Sequence, residues 1–254
     1  MSIFYEYVQN PIRKATRNLL RDYNEINLMQ SGDYTKTLNF AKSSLKRTSE
    51  LLVIELEKLN FNSIIFDKAD FEEAIRLKNL NSGSSSYNVH LLVNPLDGIE
   101  NFSRALPFFG VSITHLKYEN GKFLEFSSVI SIPSELNIIF AEKGKGAWSE
   151  RFDDMGKNAI TRLRSSKIKD IGQAITNKKL GYLKPNITKT RDFACSLYEL
   201  CCFVSGKLDA IHISSEDYMT ITAAKLFSQE SGSSFIALES GDVILTNEPL
   251  SKYF

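Results

Sequence analysis

The chain has 254 residues, of which 43% are hydrophobic and 24% charged, and its formal net charge is +1. Such a composition supplies the core of one large domain or of two closely packed halves, and it gives no overall electrostatic reason to expect nucleic acid or an acidic partner. We find no secretory signal and no run of about 18 apolar residues, so we expect no secretion and no membrane span. The three cysteines, two of them adjacent, favour reduced thiols in the cytoplasm over a disulfide framework.

Two long helices are predicted at the start of the chain. Apolar residues recur at helical spacing over 5–28, where Pro11 suits the first turn, and again over about 37–59. The apolar run 63–66 then suits a buried strand. The polar, serine-rich segment 79–88 is predicted to be a mobile loop.

Strand signals dominate the middle of the chain. The predicted strands are 89–93, 109–116, 123–132, 136–142 and 146–148, which together form a meander. After residue 155 the pattern alternates between strands and helices. The predicted elements there are strands at 171–176, 208–213, 234–238 and 243–246 and helices at 193–204 and 218–230. A meander combined with helical layers favours an α/β class over a purely parallel sheet.

The segment 94–102 reads Asn-Pro-Leu-Asp-Gly-Ile-Glu-Asn-Phe and directly follows a predicted strand. It resembles the signature of the inositol monophosphatase family of metal-dependent sugar and polyol phosphatases, Asp-Pro-(Ile/Leu)-Asp-Gly-Thr-x-Asn-Phe. Further segments resemble other motifs of that family in the same order, at 106–113, 141–148, 205–210 and 223–232. The resemblance implies a single domain over 1–254 with the family's layered αβαβα sandwich, often found as a homodimer. Its N-terminal half, 1–155, would carry the signature, and 156–254 would form a C-terminal α/β half.

The resemblance also implies a metal site, because the family hydrolyses phosphate monoesters with two or three Mg²⁺ ions. These ions need hard oxygen ligands, and they clamp the phosphate and activate water. Carried over position by position, the expected metal ligands are Asp67, Asn94, the carbonyl of Leu96, Asp97 and Thr220. Asn94 and Thr220 stand where the family has Asp, so two carboxylates are lost.

The phosphate side of the implied site is altered as well. Ile99 and Glu100 replace two threonines of the signature, so the amides of Gly98 and Ile99 are expected to hold phosphate at the start of the following helix. Glu100 would add a charge that repels phosphate. The best register of the second helix puts Lys46 where the family has its water-activating Asp. We therefore expect Lys46 and Glu100 to pair, and retained catalysis would depend on them together with Asp67 and Asp97.

Two functions remain open at this stage. The first is a divergent Mg²⁺-dependent phosphatase for an inositol or sugar phosphate, with weak or lost activity. The second is a pseudoenzyme that acts as a regulatory protein for an RNA, protein or transcription-related partner, by analogy with some bacterial relatives of the family. A basic cluster at Arg162, Arg164, Lys167 and Lys169 is either a solvated surface or a weak anion- or RNA-binding patch.

Overall fold

The computed structural model describes residues 2–29, 33–59, 63–66, 89–120, 122–152, 158–178 and 189–254. The helices in these ranges are α1 (Ile3–Met29), α2 (Tyr34–Glu57), α3 (Ile99–Ser103), α4 (Ser196–Val204) and α5 (Tyr218–Ser231). Short 3₁₀ turns cover Pro133–Glu135 and Glu248–Tyr253. None of the helices described is long and apolar enough to cross a membrane.

The strands of the described ranges form two sheets. The first follows chain order and consists of β1 (Ser63–Ile65), β2 (Val89–Asp97), β3 (Gly110–Glu119), β4 (Lys122–Ile132), β5 (Asn137–Glu142), β6 (Gly146–Phe152) and β7 (Asn158–Arg162). It is antiparallel except for the parallel pair β1 and β2. The second sheet has the order β11-β12-β10-β8-β9, with β8 (Ile175–Thr176), β9 (Lys189–Thr190), β10 (Ala210–Ile213), β11 (Ser233–Ala237) and β12 (Val243–Asn247).

The helices cover the first sheet from both sides. Helix α1 buries a stripe at helical spacing that includes Val8, Ile12, Ala15 and Leu19, and this stripe joins α2 and strands β2 to β5 in one core cluster. A second cluster joins α4 and α5 to the other face of β4 to β6 and to β10 and β12. Helices α4 and α5 therefore lie between the two sheets, which confirms the layered α/β class.

Most of the predicted elements are found within a few residues of their expected bounds. Strand β2 extends beyond the predicted 89–93 and ends at Asp97, so it includes the first four residues of the signature. The predicted strand 171–176 is reduced to Ile175–Thr176, and β7 and β9 were not predicted. The predicted loop 79–88 lies outside the described residues.

Candidate functional site

The signature forms a sharp turn between β2 and α3. The β2–β3 ladder is irregular between Asn94 and Asp97, and β2 ends at Asp97. Gly98 follows in the left-handed region with φ +74°, where a Cβ atom would lie 2.5 Å from the carbonyl oxygen of Phe108. Only glycine relieves both the strain and the contact, so the turn that presents Asp97 depends on Gly98.

Asn101 fixes this turn to the segment that precedes α4. Its Nδ2 donates to the carbonyl oxygens of Phe108 at 2.9 Å and Phe193 at 2.8 Å, and the residue is buried. Buried amide groups that are satisfied in this way hold loops in one arrangement. The sequence reasoning quoted Asn101 only as part of the signature and gave it no role. A polar residue between the apolar Ile99 and Phe102 was the available signal.

Asp97 is half-buried and already bound by protein donors. Its Oδ2 accepts hydrogen bonds from the backbone N–H of Leu197 at 2.8 Å and from the Cys195 thiol at 3.1 Å. Burial raises the pKa of the Asp97 carboxyl and the nearby charge of Asp217 raises it further, while the Leu197 amide, the Cys195 thiol and the Gly98 amide lower it. Burial also raises the pKa of the Cys195 thiol well above its ordinary value.

The first turn of α5 provides the neighbouring carboxylate. Asp217 is the N-cap of α5 and accepts a hydrogen bond from the N–H of Thr220 at 3.1 Å. Thr220 is fully buried, and its hydroxyl has no hydrogen-bond partner among the described residues. The predicted site did not include Asp217, although its charge raises the pKa of Asp97. The signal was an Asp immediately before a predicted helix, which is typical of an N-cap.

The remaining predicted site residues differ in their burial and in their neighbours. Asn94 is half-buried and pairs with Ser112 across the β2–β3 ladder, and Leu96 is buried. Ile99 packs against the α1–α2 core cluster. Asp67 lies outside the described residues, so its expected role stays a prediction.

The expected pairing of Lys46 with Glu100 is wrong. Glu100 is exposed and accepts a hydrogen bond from the Tyr34 hydroxyl, at the first turn of α2. Lys46 is exposed and lies 3.9 Å from Glu50 on the same helix. Twelve residues separate Tyr34 from Lys46, which at 1.5 Å per residue is about 18 Å along the helix axis. The N-terminal end of α2, and not its middle, therefore faces the signature.

The described donors do not fit a magnesium centre. Among Asn94, Leu96, Asp97 and Thr220, only Asp97 carries a negative charge, and its Oδ2 already accepts two hydrogen bonds. Asp217 adds a second carboxylate, which caps α5. No group of three His, Cys, Asp or Glu residues in the described ranges could hold a metal ion. Mg²⁺ gives up its water reluctantly and favours several charged oxygens, of which the described residues supply Asp97 and Asp217.

Comparison with known proteins identifies the family to which this site belongs. The model of the inositol monophosphatase family matches residues 20–249. The chain belongs to the inositol monophosphatase family. It is 24% identical to a putative Nus factor SuhB of Neisseria meningitidis serogroup B, over 97% of this chain and 94% of that protein. It is also 23% identical to an inositol-1-monophosphatase of Caulobacter vibrioides, over 91% of this chain and 88% of that protein.

Solved structures confirm the fold of this inositol monophosphatase family member. The extragenic suppressor protein SuhB of Bartonella henselae superposes with a TM-score of 0.73 at 20% identity, over 98% of this chain and 95% of that one. The inositol monophosphatase of Anabaena superposes with a TM-score of 0.69 at 14% identity, over 97% and 91% of the two chains. At such identities the structural likeness establishes the fold alone, and the function has to be argued from the site.

Proposed function

We propose that this protein keeps the scaffold of a Mg²⁺-dependent phosphomonoesterase for inositol or sugar phosphates, and that its phosphatase activity is weak or lost. The single observation that carries the proposal is the set of side chains at the signature, where an amide at Asn94 and a hydroxyl at Thr220 accompany Asp97 in place of the family's carboxylates. Mg²⁺ favours several charged oxygen ligands, and a neutral amide or hydroxyl replaces the charge of a carboxylate poorly.

The substitutions around Asp97 support the same conclusion. An amide at Asn94 and a hydroxyl at Thr220 replace carboxylates of the family, which lowers the electrostatic attraction for Mg²⁺. Each loss of about 1.4 kcal/mol of transition-state stabilisation lowers the rate about tenfold. Two lost charged ligands, at this loss each, imply a rate about a hundredfold below that of a family member with all its carboxylates.

A second function is favoured by the likeness to a protein named as a putative Nus factor. That match covers 97% of this chain and 94% of the relative, so it includes the whole scaffold rather than one motif. We propose as the alternative that the chain is a cytoplasmic, homodimeric pseudoenzyme that binds an RNA or protein partner connected with transcription. The two proposals are compatible, because a scaffold that has lost two of its metal-binding carboxylates is still available for binding a partner.

The test combines metal binding with turnover. The wild-type protein and the revertant Asn94→Asp/Thr220→Asp are titrated with MgCl₂ by calorimetry and assayed on inositol 1-phosphate and on an aryl phosphate. We expect neither Mg²⁺ binding at millimolar concentration nor appreciable turnover for the wild type, and Mg²⁺ binding for the revertant. Asp97→Asn in the revertant background is the matched control, since it removes the charge and keeps an oxygen acceptor for the Leu197 amide.

Two results would contradict the proposal. One is wild-type turnover comparable to that of an inositol monophosphatase with a complete set of carboxylates, abolished by Asp97→Asn. The other is a wild type that binds Mg²⁺ as tightly as the revertant. Far-UV circular dichroism of each variant checks that the fold is retained.

A further inference from the structure

A crevice of about 550 Å³ lies at the β7 edge of the first sheet. Strands β5, β6 and β7 line it together with residues 163 and 164 and with residues 205 and 207, which follow α4. Strand β6 is four strands away from β2, which carries Asp97. At about 4.8 Å between neighbouring strands, this separation is about 19 Å. The crevice is therefore separate from the site around Asp97.

The lining of this crevice is strongly cationic. Its charged residues are Arg151, Arg162, Arg164 and Lys207, and no carboxylate of the described ranges lines it. The formal net charge of the whole chain is only +1, so this concentration of positive charge does not follow from a basic composition. The basic cluster predicted from the sequence contains Arg162 and Arg164 but not the other two, which the fold brings in from β6 and from the end of α4.

Side chains along a strand point alternately to the two faces of a sheet, and Arg151 has no bulky neighbour on its own face. Arg151 pairs with Asn137 on β5 and with Ala159 on β7, so its neighbours on the same face of the sheet are short. Asn137 accepts a hydrogen bond from Ser149 at 2.6 Å. Glu150, between Ser149 and Arg151, points to the opposite face, where it accepts a hydrogen bond from Tyr5. The crevice thus has a polar floor from which the only nearby carboxylate of β6 is turned away.

The arginines of the crevice are exposed, and the described residues offer them no acidic partner. No ion pair joins Arg151, Arg162 or Arg164 to a carboxylate within the described residues. Lys207 lies 3.6 Å from Glu135, and the Arg162 guanidinium lies 5.6 Å from the centre of the Trp148 ring. Arg162 pairs with Trp148 and Arg151 with Ala159, so these two side chains leave the sheet on opposite faces. Arg151, Arg164 and Lys207 remain as the cations beside the polar floor, and a bound anion would relieve the repulsion between them.

We propose that the crevice binds phosphate groups. The planar guanidinium offers two parallel N–H donors that match the oxygens of a phosphate, which makes arginine the preferred residue for such recognition. A volume of about 550 Å³ lies in the range of small-molecule sites and exceeds what one phosphate ion fills. The ligand is therefore a phosphorylated molecule of about nucleotide size, either free or as part of a single-stranded RNA.

The experiment measures binding to two phosphate sources in the presence of EDTA, which removes any contribution of divalent cations. Inorganic pyrophosphate is titrated by calorimetry, and a fluorescein-labelled single-stranded RNA 12-mer by anisotropy over a range of KCl concentrations. The variants are the wild type, Arg151→Gln/Arg162→Gln/Arg164→Gln, and the charge-matched control Arg17→Gln/Lys122→Gln/Lys143→Gln. The control removes three exposed cations that do not line the crevice.

We expect the wild type to bind at least one of the two probes and the arginine variant to bind it at least tenfold more weakly, with the control within about twofold of the wild type. If RNA is the ligand, the slope of log K against log [KCl] falls by about two, since each phosphate contact on a single strand contributes about 0.7. Binding of pyrophosphate without RNA identifies a free phosphorylated molecule as the ligand.

Three outcomes would overturn the proposal. They are the absence of binding to both probes at millimolar concentration, an equal loss of affinity in the arginine variant and the control, and a change of oligomeric state in the arginine variant without a change in affinity. The variant Asp97→Asn, measured in parallel, keeps full affinity if the crevice acts independently of the signature site. The replaced side chains are exposed, and thermal melts of each variant check that the fold is intact.

Discussion

At the scale of single residues, the signature turn depends on backbone geometry as much as on its acidic side chain. Gly98 and Gly144 both have positive φ angles, +74° and +77°, but their surroundings differ. A Cβ atom at Gly98 would meet the carbonyl oxygen of Phe108 at 2.5 Å, whereas a Cβ at Gly144 has nothing within 4 Å. The two glycines therefore separate the cost of backbone strain from the cost of a steric clash.

We predict that Gly98→Ala lowers the free energy of unfolding by about 3 kcal/mol, because left-handed strain and the clash add together. Gly144→Ala is the control and is expected to cost about 1 kcal/mol from strain alone. Urea denaturation followed by circular dichroism measures both values. Equal costs for the two variants would show that the Phe108 carbonyl moves aside freely, against the close packing of this turn.

His115 makes stability depend on pH. It is 8% exposed, it stacks on Phe4 and packs edge-on against Phe126, and burial together with the charge of Lys117 lowers its pKa from 6.5 to about 4. Between pH 6.5 and pH 4 the unfolded chain binds a proton at this site that the folded protein does not. Stability at this site is therefore complete above pH 6.5 and is lost as the pH falls towards 4.

We predict that His115→Phe, which keeps an aromatic ring at this position, removes most of this dependence. The free energy of unfolding of the wild type should fall by up to about 3 kcal/mol more than that of the variant between pH 6.5 and pH 4. Urea titrations at half-unit pH intervals measure the difference. Parallel curves for the two proteins would show that His115 titrates normally in the folded state.

At the scale of secondary-structure elements, the predictions succeeded where an apolar pattern repeats over many residues. They failed where nothing in the sequence fixes which turn of a helix meets another segment. Helix α1 and helix α2 were found because their apolar stripes repeat over many turns. The same periodicity says nothing about which turn of α2 meets the signature, and so Lys46 was placed beside Glu100, whereas Tyr34 is the contact. The edge strand β7 was missed because only part of it shows an alternating pattern.

Contacts distant in sequence were also beyond prediction. Glu230, near the end of α5, accepts hydrogen bonds from the amides of Gly144 and Gly146 at 2.7 Å each, and so holds the β5–β6 turn against that helix. The Cys195 thiol contacts Asp97 across 98 residues of chain. Such contacts form only when the layers pack. The local sequence around either partner does not indicate which distant residue it will contact.

The start of α5 offers a prediction of its own. Asp217 caps the helix through the Thr220 amide, and its charge also raises the pKa of Asp97. We predict that Asp217→Ala lowers the free energy of unfolding by about 1 kcal/mol, as the loss of an N-cap does. Asp217→Asn keeps the acceptor and should cost less than half as much. Equal losses for Asn and Ala would mean that the charge, and not the cap acceptor, matters for stability.

At the scale of the whole molecule, the two halves of the chain share a core. Ile130, Ile132 and Ile139 belong to the N-terminal half, yet they pack in one cluster with Phe203 and Phe227 from the C-terminal half. Each half alone would leave part of this apolar surface in water, at about 25 cal/mol for each Å². This argues for one cooperative unit across 1–254 rather than two units that fold independently.

We predict that the full chain unfolds in a single transition and that a fragment of residues 1–155 does not fold. The single tryptophan, Trp148, lies on β6 and packs against the α1–α2 core cluster, so its fluorescence reports on that cluster. Its fluorescence and the far-UV circular dichroism should follow the same urea curve, because two-state unfolding gives coincident transitions for different probes. Two separate transitions, or a fragment 1–155 with a cooperative thermal melt, would show that the shared cluster is not needed for either half to fold.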